Sequence, residues 1–205
     1  MSYYDYDEYR CHIICLGDIG TGKTTLTQSY VRGKYQAAET QRITRLSVEF
    51  DSKVIFVNNK RLKIFLWDTA RQETFYLLRA YFYKGKDVIL IAYDVNNRRS
   101  FDSARHCWYE QVKTYCSGRD GKRIPIIILV GNKSDTDEKR QVSYEEGVIA
   151  ANDLSIPFFE TSAKTMDGVD ELFNFCARVH IKQSPKMIKK SSSFFARMIN
   201  CLIFC

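Results

Sequence analysis

Apolar segments of two lengths alternate along this chain, and the alternation predicts an α/β domain. Four mostly apolar runs have the length of buried strands: Cys11–Leu16, Asp87–Tyr93, Ile124–Val130 and Ile156–Glu160. Two further strands, Ser47–Val57 and Leu62–Trp67, flank the turn Asn58-Asn59-Lys60. Because Asn tolerates left-handed backbone, this turn predicts an antiparallel hairpin. The pattern therefore predicts a mixed, six-stranded, mostly parallel sheet.

Amphipathic helices are predicted between these strands. One helix opens near Lys23, and segments 101–115, 143–152 and 168–181 repeat apolar residues at intervals of three and four. Helices on both faces of the sheet follow from the continuous apolar strands. With 205 residues, one domain is expected, which we place at 10–181 between an N-terminal extension 1–9 and a tail 182–205.

The charge of the chain is concentrated near its end. The formal net charge is +7, and six basic residues follow Leu172 without any Asp or Glu. The remainder carries only +1, which is too little for a nucleic-acid-binding face and suits a tail that meets anionic lipid.

The cysteines argue against zinc and disulfides. There are seven, and they form no close CxxC pair with matching His spacing. An odd number of cysteines disfavours a disulfide framework. The N-terminus is acidic and aromatic and does not resemble a signal peptide. We therefore expect the protein in the reducing cytosol.

A glycine-rich segment between the first strand and the first helix matches the pattern GxxxxGK[ST]. Its backbone amides would form an anion nest at a helix N-terminus, with Lys23 reaching the β- and γ-phosphates and Thr24 binding Mg²⁺. The alternative is a surface turn with an exposed Lys. The predicted phosphate-binding residues are Gly17, Asp18, Ile19, Gly20, Thr21, Gly22, Lys23, Thr24 and Thr25.

Base selection is predicted at Asn132-Lys133-Ser134-Asp135, which follows a buried strand at the carboxyl edge of the sheet. A carboxylate at Asp135 can accept both guanine N1–H and the exocyclic amine, a donor pair that adenine lacks. After the next strand, the amides of Ser162, Ala163 and Lys164 would reach guanine O6; a helix-entry turn is the alternative.

Two side chains follow the third strand with chemistry suited to the γ-phosphate. Asp68 would hold Mg²⁺ through water. Gln72, four residues on, would orient an attacking water, or would be a solvated loop residue.

The motifs GDIGTGKT, WDTARQE, NKSD and TSAK, in this order, make the chain resemble a Rab-type small GTPase over about residues 10 to 180. The resemblance implies the Ras-like P-loop fold, GTP/GDP and Mg²⁺ as ligands, and a monomeric switch in vesicle traffic. Its implied partners are effectors, an exchange factor and, where hydrolysis needs help, a GTPase-activating protein. It further implies that Tyr35 packs against the guanine. The implied effector-facing triad is Phe50, Trp67 and Phe82.

Three positions depart from that family, and all would face the γ-phosphate. Ile19 replaces a small residue, Arg71 replaces the Gly of DTAGQE, and Arg45 stands where relatives carry the Mg²⁺-capping threonine. Thr44, one residue earlier, is the substitute ligand if the loop shifts. We expect guanine binding with slow hydrolysis; neutral drift in a normally cycling protein is the alternative.

The last twelve residues are mostly apolar and too few to span a bilayer, which takes about twenty. We predict prenylation of Cys205 or Cys201, although the CxxxC ending is neither a CaaX box nor the usual double-Cys ending of Rab proteins. The alternatives are acylation of Cys201 and an unmodified apolar end. These features predict a protein at the cytoplasmic face of intracellular membranes that cycles with the cytosol.

Two other readings compete with the switch. A degenerate GTPase would hold nucleotide with little hydrolysis and serve as a membrane-tethered scaffold, as Ile19, Arg45 and Arg71 suggest. An ATP-using P-loop kinase is disfavoured by NKSD.

Overall fold

The computed structural model describes residues 8–35, 49–68, 83, 85–116, 124–136 and 139–183. The first strand begins at Glu8 and the last helix ends at Gln183, so regular structure passes both predicted domain limits by two residues. The domain limits themselves stay predictions.

The six predicted strands form one sheet. They are β1 Glu8–Leu16, β2 Glu49–Val57, β3 Lys60–Asp68, β4 Val88–Asp94, β5 Ile126–Asn132 and β6 Phe158–Thr161. Their spatial order is β2-β3-β1-β4-β5-β6. Only β2 and β3 pair antiparallel, while the remaining neighbours pair in parallel. The predicted mixed, mostly parallel sheet is confirmed.

The hairpin between β2 and β3 follows from two asparagines. Asn58 and Asn59 have φ angles of 50° and 60°, the left-handed pair that a two-residue turn between twisted antiparallel strands requires. The predicted hairpin turn is confirmed.

Helices cover both faces of the sheet among the described residues. They are α1 Lys23–Arg32, α2 from Arg98 to Tyr115, α3 Tyr144–Leu154 and α4 Val169–Gln183. Alternate residues of β1 and β4 point to opposite cores: one contains Leu26 of α1 and Phe173 of α4, the other Phe101 of α2 and Ala150 of α3. In the described part of the chain, no helix is both long and apolar enough to cross a membrane.

Helix α2 is not the regular α-helix that the sequence predicts. It is α-helical over Arg98–Ser103, π-helical over Ala104–Trp108 and α-helical again over Tyr109–Tyr115. A π turn places one extra residue in the helix, and such turns are frequent at functional sites. The residues after it are rotated by about 100° relative to an uninterrupted helix.

Candidate functional site

The predicted nucleotide-binding segments meet at one edge of the sheet. The loop 17–22 follows β1, Asn132 ends β5, and Ser162 follows β6. Since these strands run parallel, their carboxyl ends lie side by side, the usual place for a ligand in an α/β sheet.

Two glycines allow the loop after β1 to pack where it does. Gly17 has a φ angle of +138°, and a Cβ there would lie 2.0 Å from the carbonyl oxygen of Ala92 in β4. Gly22 caps α1 with φ of +88°, and its Cβ would lie 2.4 Å from Asn132 Nδ2. Any larger residue would push this loop off the sheet edge.

Lys23 is the first residue of α1, and its side chain is buried, with 3% of its surface exposed. Its Nζ donates to the carbonyl oxygens of Gly17 at 2.7 Å and Asp18 at 2.8 Å. The ammonium is thereby held inside the curve of the loop, where a phosphate at the N-terminus of α1 would meet it.

Asn132 joins the loop 17–22, hereafter the phosphate loop, to the segments that the sequence predicts to select the base. It is 1% exposed; its Nδ2 donates to the Thr21 carbonyl at 2.8 Å, and its Oδ1 accepts from Thr161 Oγ1 at 3.2 Å. The side chain therefore spans β5, β6 and the loop after β1. The sequence predicts Asn132 as a guanine-binding residue, and here it also braces the loop.

Asp135 is held as an oriented carboxylate. Ser162 Oγ donates to its Oδ1 at 2.7 Å, and Lys164 Nζ lies 3.6 Å from Oδ2. Burial raises the pKa of Asp135, but the hydrogen bond from Ser162 and the Lys164 charge outweigh it, so that the pKa lies below its usual value. The structure thus brings the NKSD and TSAK motifs together, with Ala163 buried between Ser162 and Lys164.

Lys133 is fixed by partners that the sequence pattern does not reveal. Its φ angle is +66°, and its Nζ forms a 2.7 Å ion pair with Asp94 Oδ2 at the end of β4. Asn96 donates to Asp94 Oδ1 and to Thr136 Oγ1. The aliphatic part of the Lys133 side chain runs beside Gly22, since a Cβ added at Gly22 would lie 3.6 Å from Lys133 Cε.

The phosphate loop has a second brace from α2. Trp108 Nε1 donates to Asp18 Oδ1 at 2.8 Å. Trp108 ends the π turn and is 90 residues from Asp18, so no sequence motif joins them.

Comparisons with known proteins agree with this geometry. The model of the Ras family matches residues 12–182. "GTP-binding protein ypt2" of Schizosaccharomyces pombe is 37% identical over 89% of this chain and 86% of its own length. "Ras-related protein RAB1BV" of Beta vulgaris is 39% identical over 87% and 79%. The chain is a Rab-type small GTPase of the Ras family.

A third relative, "Ypt/Rab-type GTPase Rab7" of Neurospora crassa, is 38% identical over 83% of this chain and 82% of its own length. As a member of this family, the chain is a GTP hydrolase that binds GTP and GDP with Mg²⁺. The sequence-based family, fold and cofactors are confirmed.

The described residues of this small GTPase fit Mg²⁺. Asp68, at the end of β3, lies opposite Cys15 in the parallel register, two residues before the phosphate loop begins. Thr24 is in the first turn of α1, and the side chains of Thr24 and Asp68 are half-buried and carry oxygen ligands of the kind that Mg²⁺ prefers.

The charges of Asp68 and Lys23 both affect the buried thiol of Cys15. Burial raises the pKa of Cys15 to about 12; the Asp68 charge acts in the same direction and Lys23 opposes it. Both charges therefore act at this end of β1. Thr25, the next residue of α1, is also half-buried.

Two further predicted site residues of the GTPase are exposed. Ile19 is 78% exposed at the tip of the phosphate loop, beside Gly20. Tyr35 is 41% exposed, three residues beyond the end of α1. A branched apolar side chain thus stands at the mouth of the loop.

The predicted effector-facing residues are placed in part. Phe50 of β2 pairs with Trp67 of β3 in the antiparallel register. Trp67 Nε1 donates to His12 Nδ1 at 3.3 Å, and Lys86 Nζ lies 4.2 Å from the centre of a Trp67 ring. The predictions for Thr44, Arg45, Arg71, Gln72, Phe82, Cys201 and Cys205 lie outside the described residues.

Proposed function

We propose that this GTPase is a membrane-associated molecular switch in intracellular vesicle trafficking, with guanine selected by Asp135. The observation that carries the proposal is the Ser162–Asp135–Lys164 arrangement at the sheet edge that also holds the phosphate loop. An ionised carboxylate with one oxygen on a hydroxyl and the other near an ammonium is fixed in direction. It can accept both N1–H and the exocyclic amine of guanine, a pair of neighbouring donors that adenine lacks.

The residues divide into three roles in this proposal. Lys23 and the loop amides of 17–25 hold the phosphates. Thr24 and Asp68 hold Mg²⁺, with Thr44 completing its ligands, and Gln72 orients the attacking water. Asn132, Lys133, the Ser162–Lys164 turn and Tyr35 surround the base.

We infer that hydrolysis is slow. Ile19 is exposed at the loop tip where a catalytic Gln, or an arginine from an activating protein, must approach the γ-phosphate. In the sequence, Arg71 replaces a glycine whose amide contacts that phosphate in relatives, and a Cβ restricts backbone movement there. Neither change removes Lys23 or Asp135, so binding of guanine nucleotide is retained in this proposal.

Single-turnover hydrolysis tests this. We expect a rate below ~10⁻⁴ per second for the wild-type protein loaded with GTP and Mg²⁺. Arg71→Gly and Ile19→Ser, singly and together, should accelerate it, whereas Ile149→Ser, which removes an exposed Ile in α3, should not. A wild-type rate at or above the ordinary small-GTPase value would contradict the inference.

The tail supplies the membrane attachment in this proposal. Cys205 or Cys201 carries a lipid chain, and the basic residues of the tail attract anionic lipid. Both are needed because one lipid chain alone gives only weak, reversible binding. The protein would then act at the cytoplasmic face of intracellular membranes as a monomer that exchanges with the cytosol. It would meet an exchange factor, effectors through the Phe50, Trp67 and Phe82 surface and, where hydrolysis needs help, a GTPase-activating protein.

Incubation with labelled isoprenoid and a prenyltransferase tests the attachment, with Cys201→Ser and Cys205→Ser as paired variants. We expect label that depends on one of these residues, and a labelled protein that binds vesicles containing anionic lipid. Absence of label in the wild-type chain would leave acylation or bare insertion of the apolar end in place of prenylation.

A scaffold that holds guanine nucleotide permanently is the second candidate, favoured by the exposed Ile19. The two candidates differ in effector binding. A switch binds effectors in the GTP state and releases them in the GDP state, whereas a scaffold binds its partners equally in both.

A further inference from the structure

Cys11, Asp87 and His180 lie together at the edge of the sheet opposite the phosphate loop. Cys11 is in the first half of β1, Asp87 immediately precedes β4, and His180 is in the last turn of α4. One potential ligand atom from each, a sulfur, an oxygen and a nitrogen, lies within 4.8 Å of the other two. None of these residues has a role in the nucleotide site.

We propose that these three residues form a zinc-binding site, with water as the fourth ligand. Zn²⁺ binds thiolate, imidazole and carboxylate, and sites with three protein ligands keep one position for water. Mg²⁺ and Ca²⁺ prefer all-oxygen ligands, so the mixed set favours zinc. Bound Zn²⁺ would balance the charges of a Cys11 thiolate and the Asp87 carboxylate, which suits a buried position.

The spacing of the three side chains fits a tetrahedral ion. Zinc bonds of about 2.0–2.3 Å place neighbouring ligand atoms roughly 3.3–3.8 Å apart. His180 Nδ1 and Asp87 Oδ1 are 3.4 Å apart, which is that separation. A sulfur and a nitrogen or oxygen ligand of a tetrahedral zinc ion are about 3.5 Å apart. Because the three atoms lie within 4.8 Å of one another, the sulfur would need to move by up to roughly 1.3 Å.

Asp87 is held in the direction that a metal ligand requires. Its Oδ2 accepts from the His12 amide at 2.8 Å, which leaves Oδ1 directed toward His180. The Asp87 amide donates to the His12 carbonyl at 2.8 Å, and the Asp87 carbonyl accepts from the Ile126 amide at 2.9 Å. Such outer hydrogen bonds orient carboxylate ligands in metal sites.

The other two ligands are fixed by packing. Cys11 is fully buried in the core on the α1 and α4 face of the sheet, and His180 of α4 is 4% exposed. A site whose ligands come from a central strand, a strand start and a packed helix needs little ordering when the ion binds. Binding converts the Cys11 thiol to a thiolate and releases its proton to solvent.

Cobalt titration of the full-length chain tests the proposal, because a cobalt–thiolate bond gives a charge-transfer absorption that oxygen ligands do not. The protein carries Cys201→Ser and Cys205→Ser to remove the tail thiols, and excess Mg²⁺ and GDP fill the nucleotide site. We expect the band to saturate at one equivalent of Co²⁺, and Zn²⁺ to abolish it by displacement. No thiolate band in this protein would overturn the proposal.

Paired variants identify the ligands. Cys11→Ser should lose the band, whereas Cys15→Ser, a second buried thiol on β1, should keep it. His180→Gln should weaken Co²⁺ binding by at least about tenfold, the loss that follows removal of even an outer-shell partner, and this variant serves if Cys11→Ser does not fold. A band that survives Cys11→Ser, or unchanged affinity in His180→Gln, would contradict the assignment.

A measurement without variants gives a second readout. Zinc at about a hundredfold above its dissociation constant should raise the unfolding temperature of the metal-stripped protein by roughly 5–10 °C. An unchanged unfolding temperature would count against a site that binds only the folded chain.

Discussion

Trp108 Nε1 donates a 2.8 Å hydrogen bond to Asp18 Oδ1 and so ties the π turn of α2 to the phosphate loop. Asp18 also contributes its carbonyl to Lys23 Nζ and to Thr21 Oγ1. The indole therefore fixes a residue whose backbone positions the lysine expected at the phosphates. We interpret Trp108 as a positioning residue that acts on nucleotide binding through Asp18.

Trp108→Phe removes the donor and keeps the aromatic bulk. Since a hydrogen bond to a charged group in a nearly buried place is worth about 1.5–3 kcal/mol, the variant should be measurably less stable and release GDP several-fold faster. Stopped-flow release of a fluorescent GDP and urea unfolding measure the two effects. Trp67→Phe is the matched control, since its indole donates to His12 instead. Equal GDP release from both variants would contradict the positioning role.

Gly22→Ala should severely impair nucleotide binding. Its backbone has φ of +88°, and the new methyl would lie 2.4 Å from Asn132 Nδ2, which braces Thr21. Gly33→Ala is the control: it has φ of +68°, but its Cβ would meet nothing within 4 Å. The control should lose only about 1–2 kcal/mol of unfolding free energy, the cost of an L-residue in left-handed backbone. Calorimetric GDP binding distinguishes them; equal affinity in the two variants would show that the close approach to Asn132 is unimportant.

Asp135→Asn should change which base is bound. The amide loses acceptance of the two guanine donors and gains an N–H that can face the C2 carbonyl of xanthine. We expect affinity for GTP to fall by at least about a hundredfold, as when buried polar partners are left unmatched, and affinity for xanthosine triphosphate to rise. Asp167→Asn, on the neighbouring turn where Asp167 accepts from Thr165, should leave the preference intact. Retained GTP selectivity in Asp135→Asn would refute the assignment of the base selector.

The stability of the folded protein should depend on pH through the carboxylate of Asp135. Because the pKa of Asp135 is lowered in the folded protein, its contribution to stability is complete above the unfolded value of about 3.9 and is lost as pH falls through the lower folded value. Urea unfolding of wild type and Asp135→Asn should differ by a constant amount between pH 7 and 5. The difference should shrink only in more acidic solution. A difference that already declines near pH 6 would mean that the Asp135 pKa is raised instead.

The sheet and the motif positions were predictable because they depend on local chemistry. Continuous apolar runs predict β4 and β5, and the left-handed preference of Asn58 and Asn59 predicts the hairpin. Strand limits moved by up to three residues, as at the start of β1, because pairing with a neighbour determines where a strand begins and ends. For example, β5 extends to Asn132, which pairs with Asp94 of β4.

Other features depend on residues that meet only after folding. Apolar residues recur at intervals of three and four through the π turn at Ala104–Trp108, so the sequence pattern predicts an ordinary helix. The sequence analysis argues against a zinc site because it searches only for Cys and His residues that are close together in the sequence. Cys11 and His180 are brought together by the packing of α4 on β1, which no local motif encodes.

The most direct test of the guanine-nucleotide switch is the nucleotide that the purified chain retains after loading with GTP and Mg²⁺, followed over time with ATP as competitor. We expect guanine nucleotide to stay bound in one-to-one amount, excess ATP not to displace it, and GTP to convert to GDP slowly. Loss of guanine nucleotide during purification and loading, or its displacement by ATP, would show that the chain is not a guanine-nucleotide switch.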